Sequence, residues 1–181
     1  MSGSADRVKR GMLRVYRRLP TLGRRWVVRT IAPSFTVGAM AIIERADGSR
    51  LFVRHLYRQH WGVPGGLLER GETPELAVAR EVWEEVGLRI QLLGEPAVVV
   101  DAEPQRVDVV FRARLAEPDL PGSEADEGAP SSPEIRAVQW FAADRFPELQ
   151  HETAHAMVAM ARSARAPQAR PLEGGGHRFA S

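Results

Sequence analysis

Glu81, Glu84 and Glu85 stand within five positions of one another in the stretch GETPELAVAREVWEEVGL, Gly71 to Leu88. Carboxylates gathered this densely suit a hard cation. Mg²⁺ takes oxygen ligands, keeps several waters, and is held by a few carboxylates together with substrate phosphates. A cation would also offset the repulsion of Glu81/Glu84 at i,i+3 and Glu81/Glu85 at i,i+4, about 0.2–0.5 kcal/mol per like-charge pair on a helix. A solvated acidic face on a surface helix accounts for the same residues without any chemistry. The surrounding pattern must decide between the two.

The element that positions these residues is a helix with readable ends. Thr73 suits the N-cap, Pro74 the first helical position, and Gly87 the left-handed stop. At 100° per residue, Leu76, Ala79, Val82, Trp83 and Val86 fall on one side and Glu81, Glu84 and Glu85 on the other. This predicts a helix with one packed face and one charged face. Arg80 relieves part of the repulsion through Glu84 at i,i+4.

Around that helix the texture alternates between strand and turn. FTVGAMAIIE, the turn residues ADGS and RLFVRHLY predict a hairpin over 35–57, and LRIQLLGE, AVVVDA and RVDVVFRARL predict three strands after the helix. Residues 117–134, rich in Pro, Gly, Ser and acids, form a long loop before a further strand in EIRAVQWFA. ELQHETAHAMVAMARSA has the composition of a second long helix, and Pro167 to Ser181 reads as a disordered tail. Strands on both sides of a central helix, with another helix at the end, predict an α/β layered domain whose mixed sheet is covered on both faces.

Composition narrows the chemistry. The 181 residues are 44% hydrophobic, enough for one core of ordinary size. Without cysteine there are no disulfides, no thiolate nucleophile and no Cys-ligated zinc or iron–sulfur site. Residues 1–30 carry nine basic groups against Asp6 alone, so that segment is +8 and the remainder −6. In it, Val8, Met12, Val15, Tyr16 and Leu19 recur at helical spacing among arginines until Pro20. This predicts a basic amphipathic helix that packs on the domain or on a partner subunit, as in a homodimer, with RNA or an anionic membrane surface as the alternative contact. No run approaches a membrane span, and the basic start lacks the apolar core of a secretory signal, which predicts a cytoplasmic protein; a mitochondrial transit peptide is the competing reading. The expected division is a basic extension over 1–33, a domain over 34–165 and a tail over 166–181.

The pattern that decides for chemistry is longer than the helix. GLLERGETPELAVAREVWEEVGL, Gly66 to Leu88, runs Gly, five residues, Glu, seven residues, Arg-Glu, an aliphatic, any residue, Glu-Glu, any residue, Gly and an aliphatic. It resembles the Nudix box with every fixed position filled, preceded by a typical VPGG. The resemblance implies a Nudix-like α/β/α sandwich and a hydrolase that binds divalent metal, Mg²⁺ with Mn²⁺ as the alternative. Such an enzyme cleaves the pyrophosphate of a nucleoside diphosphate linked to another group. By matching position it implies that Glu81 and Glu85 are the principal metal ligands, Glu84 a further or water-mediated one, and the Gly65 carbonyl a completing ligand. Glu72 and Arg80 would brace loop and helix around Gly66. The general base is Glu81 or an acid of the 117–134 loop, where Glu117, Asp119, Glu124, Asp126, Glu127 and Glu134 are available; Glu134, which leads into a strand, is preferred.

Two other readings compete. HETAH, His151 to His155, matches the HExxH zinc signature, but its third ligand would have to come from a position such as Glu173 in a Pro/Gly-rich tail. A Nudix-like module that binds nucleotide or RNA without hydrolysis would not need the intact box, and the related isopentenyl diphosphate isomerase needs a cysteine that is absent. Substrate is the weakly encoded part. Tyr57, Trp61, His55 and His60 precede the box and are candidates to stack on a base, with Trp61 equally suited to the core. Pro104, 16 residues after Leu88, resembles a position associated with ADP-ribose pyrophosphatases but equally marks a strand end. ADP-ribose-like compounds, nucleotide sugars and CDP-alcohols are the expected classes.

Overall fold

The structure is a computed structural model that describes residues 34–116 and 127–165. In chain order these contain β1 (Thr36–Ile43), β2 (Arg50–His55), β3 (Gly65–Leu67), α1 (Pro74–Val86), β4 (Ile90–Asp101), β5 (Arg106–Leu115), β6 (Ile135–Phe141) and α2 (His151–Arg165). The expected helix at 1–33, the tail, the loop acids Glu117, Asp119, Glu124 and Asp126, and Glu173 lie outside the described residues.

Two sheets carry the fold, one ordered β3-β1-β5-β4 and one pairing β2 with β6 antiparallel. Strand alternation then splits the core. Ala39, Ala41 and Ile43 of β1, Leu51 and Val53 of β2, and Phe111 and Ala113 of β5 pack with Ala77, Val78, Val82 and Val86 of α1. The alternate residues Met40, Ile42, Phe52 and Val110 pack with Ala156 and Met160 of α2. Because successive side chains leave a strand on opposite faces, one helix covers each side, which is an α/β/α sandwich. Each fully buried aliphatic side chain contributes about 1.5–3 kcal/mol relative to exposure, so the first cluster anchors α1 and the second anchors α2.

Residues 37–100 and 107–165, as far as they are described, belong to one compact unit. Residues 34–36 and 101–106 belong to a second, within which the Thr36 N–H donates to the Gln105 carbonyl at 2.9 Å. Pro104 stands in the turn that follows β4.

Two expectations about the strands need correction, and one further strand is present. The turn between β1 and β2 is present, with Ser49 N–H and Oγ on Asp47 Oδ1 at 2.9 and 2.7 Å, but the two strands then enter different sheets. Only an isolated antiparallel bridge, Glu44 with Arg50, joins them, so 35–57 is not a paired hairpin. LRIQLLGE and AVVVDA are one strand, β4, running through Gly94 and Glu95. The glycine pair after Pro64 is itself a strand, β3, in register Ala39↔Gly66 and Met40↔Gly65 with β1. A three-residue strand made mostly of glycine has no side-chain periodicity to reveal it.

Candidate functional site

Local sequence builds the ends of α1 as expected. Thr73 is extended (φ −90°, ψ 156°) and its hydroxyl accepts from Leu76 N–H at 3.4 Å, Pro74 begins the helix, and Gly87 caps it in the left-handed region (φ 68°), its N–H on the Trp83 carbonyl. The assignment of faces differs from the sequence expectation. The buried residues are Ala77, Val78, Val82, Glu85 and Val86, whereas Leu76 and Trp83 are 62% and 53% exposed. Glu85 therefore sits on the packed face among valines, and the opposition between apolar and acidic sides does not hold.

The burial of Glu85 is the central feature of the site. It is 8% exposed, and its two oxygens meet different partners: Oε1 lies 3.1 Å from His55 Nε2, and Oε2 accepts the Gly65 N–H at 3.2 Å. Neither lysine nor arginine reaches it among the described residues. A carboxylate taken out of water with no arginine or lysine beside it is costly, so the position favours binding of positive charge.

Glu81 and Glu84 are arranged differently. Arg80 donates through Nε and Nη2 to the two oxygens of Glu72, both at 3.0 Å, through Nη1 to Glu81 Oε1 at 2.9 Å and Glu84 Oε2 at 3.2 Å, and through Nη2 to the Leu67 carbonyl at 3.3 Å. One guanidinium thus joins the loop before α1 to two of the three glutamates, where spacing alone suggested relief through Glu84 only. Its hydrogen bond with Glu72 is the main reason the Arg80 pKa is raised and the Glu72 pKa lowered. Glu81 moves the other way: burial raises its pKa, opposed by Arg80 and reinforced by the neighbouring charges of Glu85 and Glu84.

The glycine pair makes this packing possible. A Cβ on Gly66 would overlap the Glu81 carboxylate, with Oε2 at 2.8 Å, and one on Gly65 (φ 152°) would overlap the Ala39 carbonyl oxygen and come within 2.8 Å of Met40 Cα. At Gly65 and Gly66 the chain passes between β1 and α1 only because neither residue has a side chain.

The remaining candidates separate. Glu134 is exposed, and its backbone carbonyl accepts the Leu56 N–H at 2.8 Å, next in sequence to His55. Ser131 N–H donates to the Glu85 backbone carbonyl at 2.9 Å, so the segment leading to Glu134 runs beside the end of α1. Glu127 instead pairs with Arg45 at 3.0 Å. Tyr57 is 67% exposed with its ring 5.4 Å from that of His55. Trp61 is partly buried, edge-on to Phe141 at 5.1 Å and packed on the cluster beneath α2. His55 points at Glu85 and not outward, a contact that the alternation Leu51, Val53, His55 along β2 could have revealed.

The two histidines of HETAH lie ring to ring on α2, centroids 4.0 Å apart, and Glu152 pairs with Arg58 at 3.4 Å. Among the described residues no three or more histidine, aspartate or glutamate side chains converge to hold a metal, either there or at α1. At α1 the reason is visible, because Arg80 and His55 turn the three carboxylates toward protein donors. No helix among the described residues is long and apolar enough to cross a membrane.

Residues 34–161 match the NUDIX domain family. The chain belongs to the NUDIX family. A MutT-like protein of Streptomyces ambofaciens is 34% identical to this Nudix chain over 123 residues, 68% of this chain and 74% of the relative. An RNA pyrophosphohydrolase of Psychrobacter cryohalolentis is 31% identical over 126 residues, 60% of this chain and 71% of the relative. The crystal structure of a MutT NUDIX hydrolase from Burkholderia pseudomallei is 28% identical with a TM-score of 0.56, covering 70% of this chain and 98% of that one. The Nudix chain is thus an enzyme of the hydrolase type, with an α/β/α fold shared by solved relatives.

Proposed function

We propose that this Nudix chain is a divalent-metal-dependent pyrophosphohydrolase that cleaves a nucleoside diphosphate linked to another moiety, of ADP-ribose-like, nucleotide-sugar or CDP-alcohol type. The observation that carries the reading is Glu85, a buried carboxylate with no arginine or lysine partner at the end of a helix that also presents Glu81 and Glu84. The donor set fits Mg²⁺, with Mn²⁺ as the alternative: three carboxylates and the Gly65 carbonyl, all oxygen. When bound, the cation neutralises phosphate oxygens and makes water a stronger acid.

The chain's own residues divide the remaining work. Glu85 and Glu81 are the principal ligands, Glu84 a further one, and Arg80 with Glu72 holds the Gly66 loop against α1. Water attacks phosphorus, and a carboxylate takes its proton; Glu134 is the assigned base, with Glu81 as the second choice. Tyr57, exposed beside His55, is the surface offered to a nucleobase, while the packing of Trp61 on Phe141 speaks for a supporting role. The names of the relatives, MutT-like and RNA pyrophosphohydrolase, support pyrophosphate cleavage without selecting the leaving group.

The test is incubation with Mg²⁺ and a panel of ADP-ribose, UDP-sugars, CDP-alcohols, dinucleoside polyphosphates, oxidised nucleoside triphosphates and capped RNA, with products identified by mass. Turnover of one class, reduced by orders of magnitude in Glu85→Gln and Glu81→Gln with unfolding curves unchanged, is expected. Near wild-type rates in both variants at saturating Mg²⁺ reject this site.

A further inference from the structure

We propose that His55 is a positioning residue for Glu85, setting the direction in which that carboxylate offers its free lone pairs to a cation. The proposal rests on the reading of Glu85 as a metal ligand and adds a residue outside the Nudix box, on another strand.

The geometry is that of a two-point clamp. A carboxylate has about four lone-pair sites on two oxygens. His55 takes one on Oε1 at 3.1 Å and the Gly65 N–H takes one on Oε2 at 3.2 Å. Two donors on different oxygens fix both the plane of the group and its rotation, and leave lone pairs free on both oxygens. With Nε2 carrying the imidazole proton, His55 is the donor to Oε1. A single contact would leave the carboxylate free to swing about the other.

The strand is shaped to deliver the imidazole there. Leu51 and Val53 face α1, and His55 follows them at period two, opposite Glu85 and not opposite a valine. Between Arg54 and His55 the β2–β6 register slips, from Arg54↔Ala137 to His55↔Ile135. Such irregularities redirect the end of a strand and are found beside functional sites. The ring lies 5.4 Å, centroid to centroid, from the tilted ring of Tyr57, and the His55 side chain is only 14% exposed. Nδ1 is buried and has no hydrogen-bond partner among the described residues. A histidine there solely for packing would lose nothing as phenylalanine, whereas one that orients a ligand is tied to its Nε2–H.

Mn²⁺ alone, titrated into the full chain and followed by the EPR signal of free Mn²⁺, tests this. His55→Phe keeps the ring and removes the donor, and weaker Mn²⁺ binding by about 10–100-fold is expected, the range usual when a group that orients a metal ligand is lost. His55→Gln places an N–H near the position of Nε2 and should recover most of that loss, which a purely structural role would not predict. Near-UV circular dichroism checks packing, and if His55→Phe does not fold, the affinity of His55→Gln is compared with that of His55→Leu. Wild-type affinity in both donor-free variants overturns the positioning role when Glu85→Gln does weaken binding. Wild-type affinity in Glu85→Gln as well overturns the metal-site reading itself.

Discussion

Arg80 and Glu72 meet fork to fork: Nε and Nη2 of the guanidinium each lie 3.0 Å from a different Glu72 oxygen, eight residues earlier in the chain. The same guanidinium reaches Glu81, Glu84 and the Leu67 carbonyl, so five contacts converge on one planar group. An ammonium is a point charge and cannot reproduce a fork. Arg80→Lys should therefore destabilise the fold, because a lysine keeps the charge and loses the paired contacts to Glu72. Turnover should fall as the loop loosens. Urea unfolding read by tryptophan fluorescence measures the first, and an unchanged midpoint with wild-type slope would show that the fork is not needed.

The pair also sets a pH dependence. The Arg80 hydrogen bond and charge, together with the Glu69 N–H, hold the Glu72 carboxyl below its ordinary value of 4.5. The folded state then binds fewer protons at this site than the unfolded state, so the stabilisation is present above the ordinary value and is lost as pH falls through the depressed one. Asp47, held low mainly by the Ser49 hydroxyl, adds a contribution of the same sign. Glu72→Gln should flatten the acid limb of the stability curve, leaving the difference from wild type largest near neutrality and smallest in acid. A difference that stays constant from pH 7 to strong acid would contradict this.

Gly66→Ala tests the packing between β3 and α1. The added methyl would occupy the place of the Glu81 carboxylate, and a flexible side-chain end moves more cheaply than backbone. The expected outcome is a stability change within about 1–3 kcal/mol, typical of modest overpacking, with a much larger loss of turnover because Glu81 is displaced. Equal proportional losses in both quantities would mean that the glycine serves folding alone.

The corrected face of α1 gives a sharp contrast between two aliphatic residues. Val82 is fully buried and Leu76 is 62% exposed. Val82→Ala should cost about 2 kcal/mol or more, for two buried methylene equivalents and the cavity they leave. Leu76→Ala should stay within about 0.5 kcal/mol. Chemical unfolding of the two variants decides, and a larger loss at Leu76 would restore the packing face expected from the helical wheel.

The span of α1, its Thr73 and Gly87 caps, the second helix and the strands β5 and β6 follow from interactions between near neighbours, which leave a direct trace in composition and spacing. The box from Gly66 to Leu88 likewise places the chain in the NUDIX family by sequence pattern alone.

Other features were decided only by tertiary contacts. A helical wheel ranks faces by hydrophobicity, and Leu76 and Trp83 outweigh Ala77 and Val78. Yet burial follows from what the opposing surface admits, and β3 presents glycines there, which lets Glu81 and Glu85 lie inward. The β1–β2 turn is local, but whether its strands stay paired depends on competition from β3, β5 and β6, all distant in sequence. His55 meets Glu85 across thirty residues. The sequence by itself determined the family, the two described helices and the spacing of Glu81, Glu84 and Glu85, because these rest on short-range pattern. Tertiary structure alone decided which acid is buried and which histidine holds it, because burial is a property of two surfaces brought together.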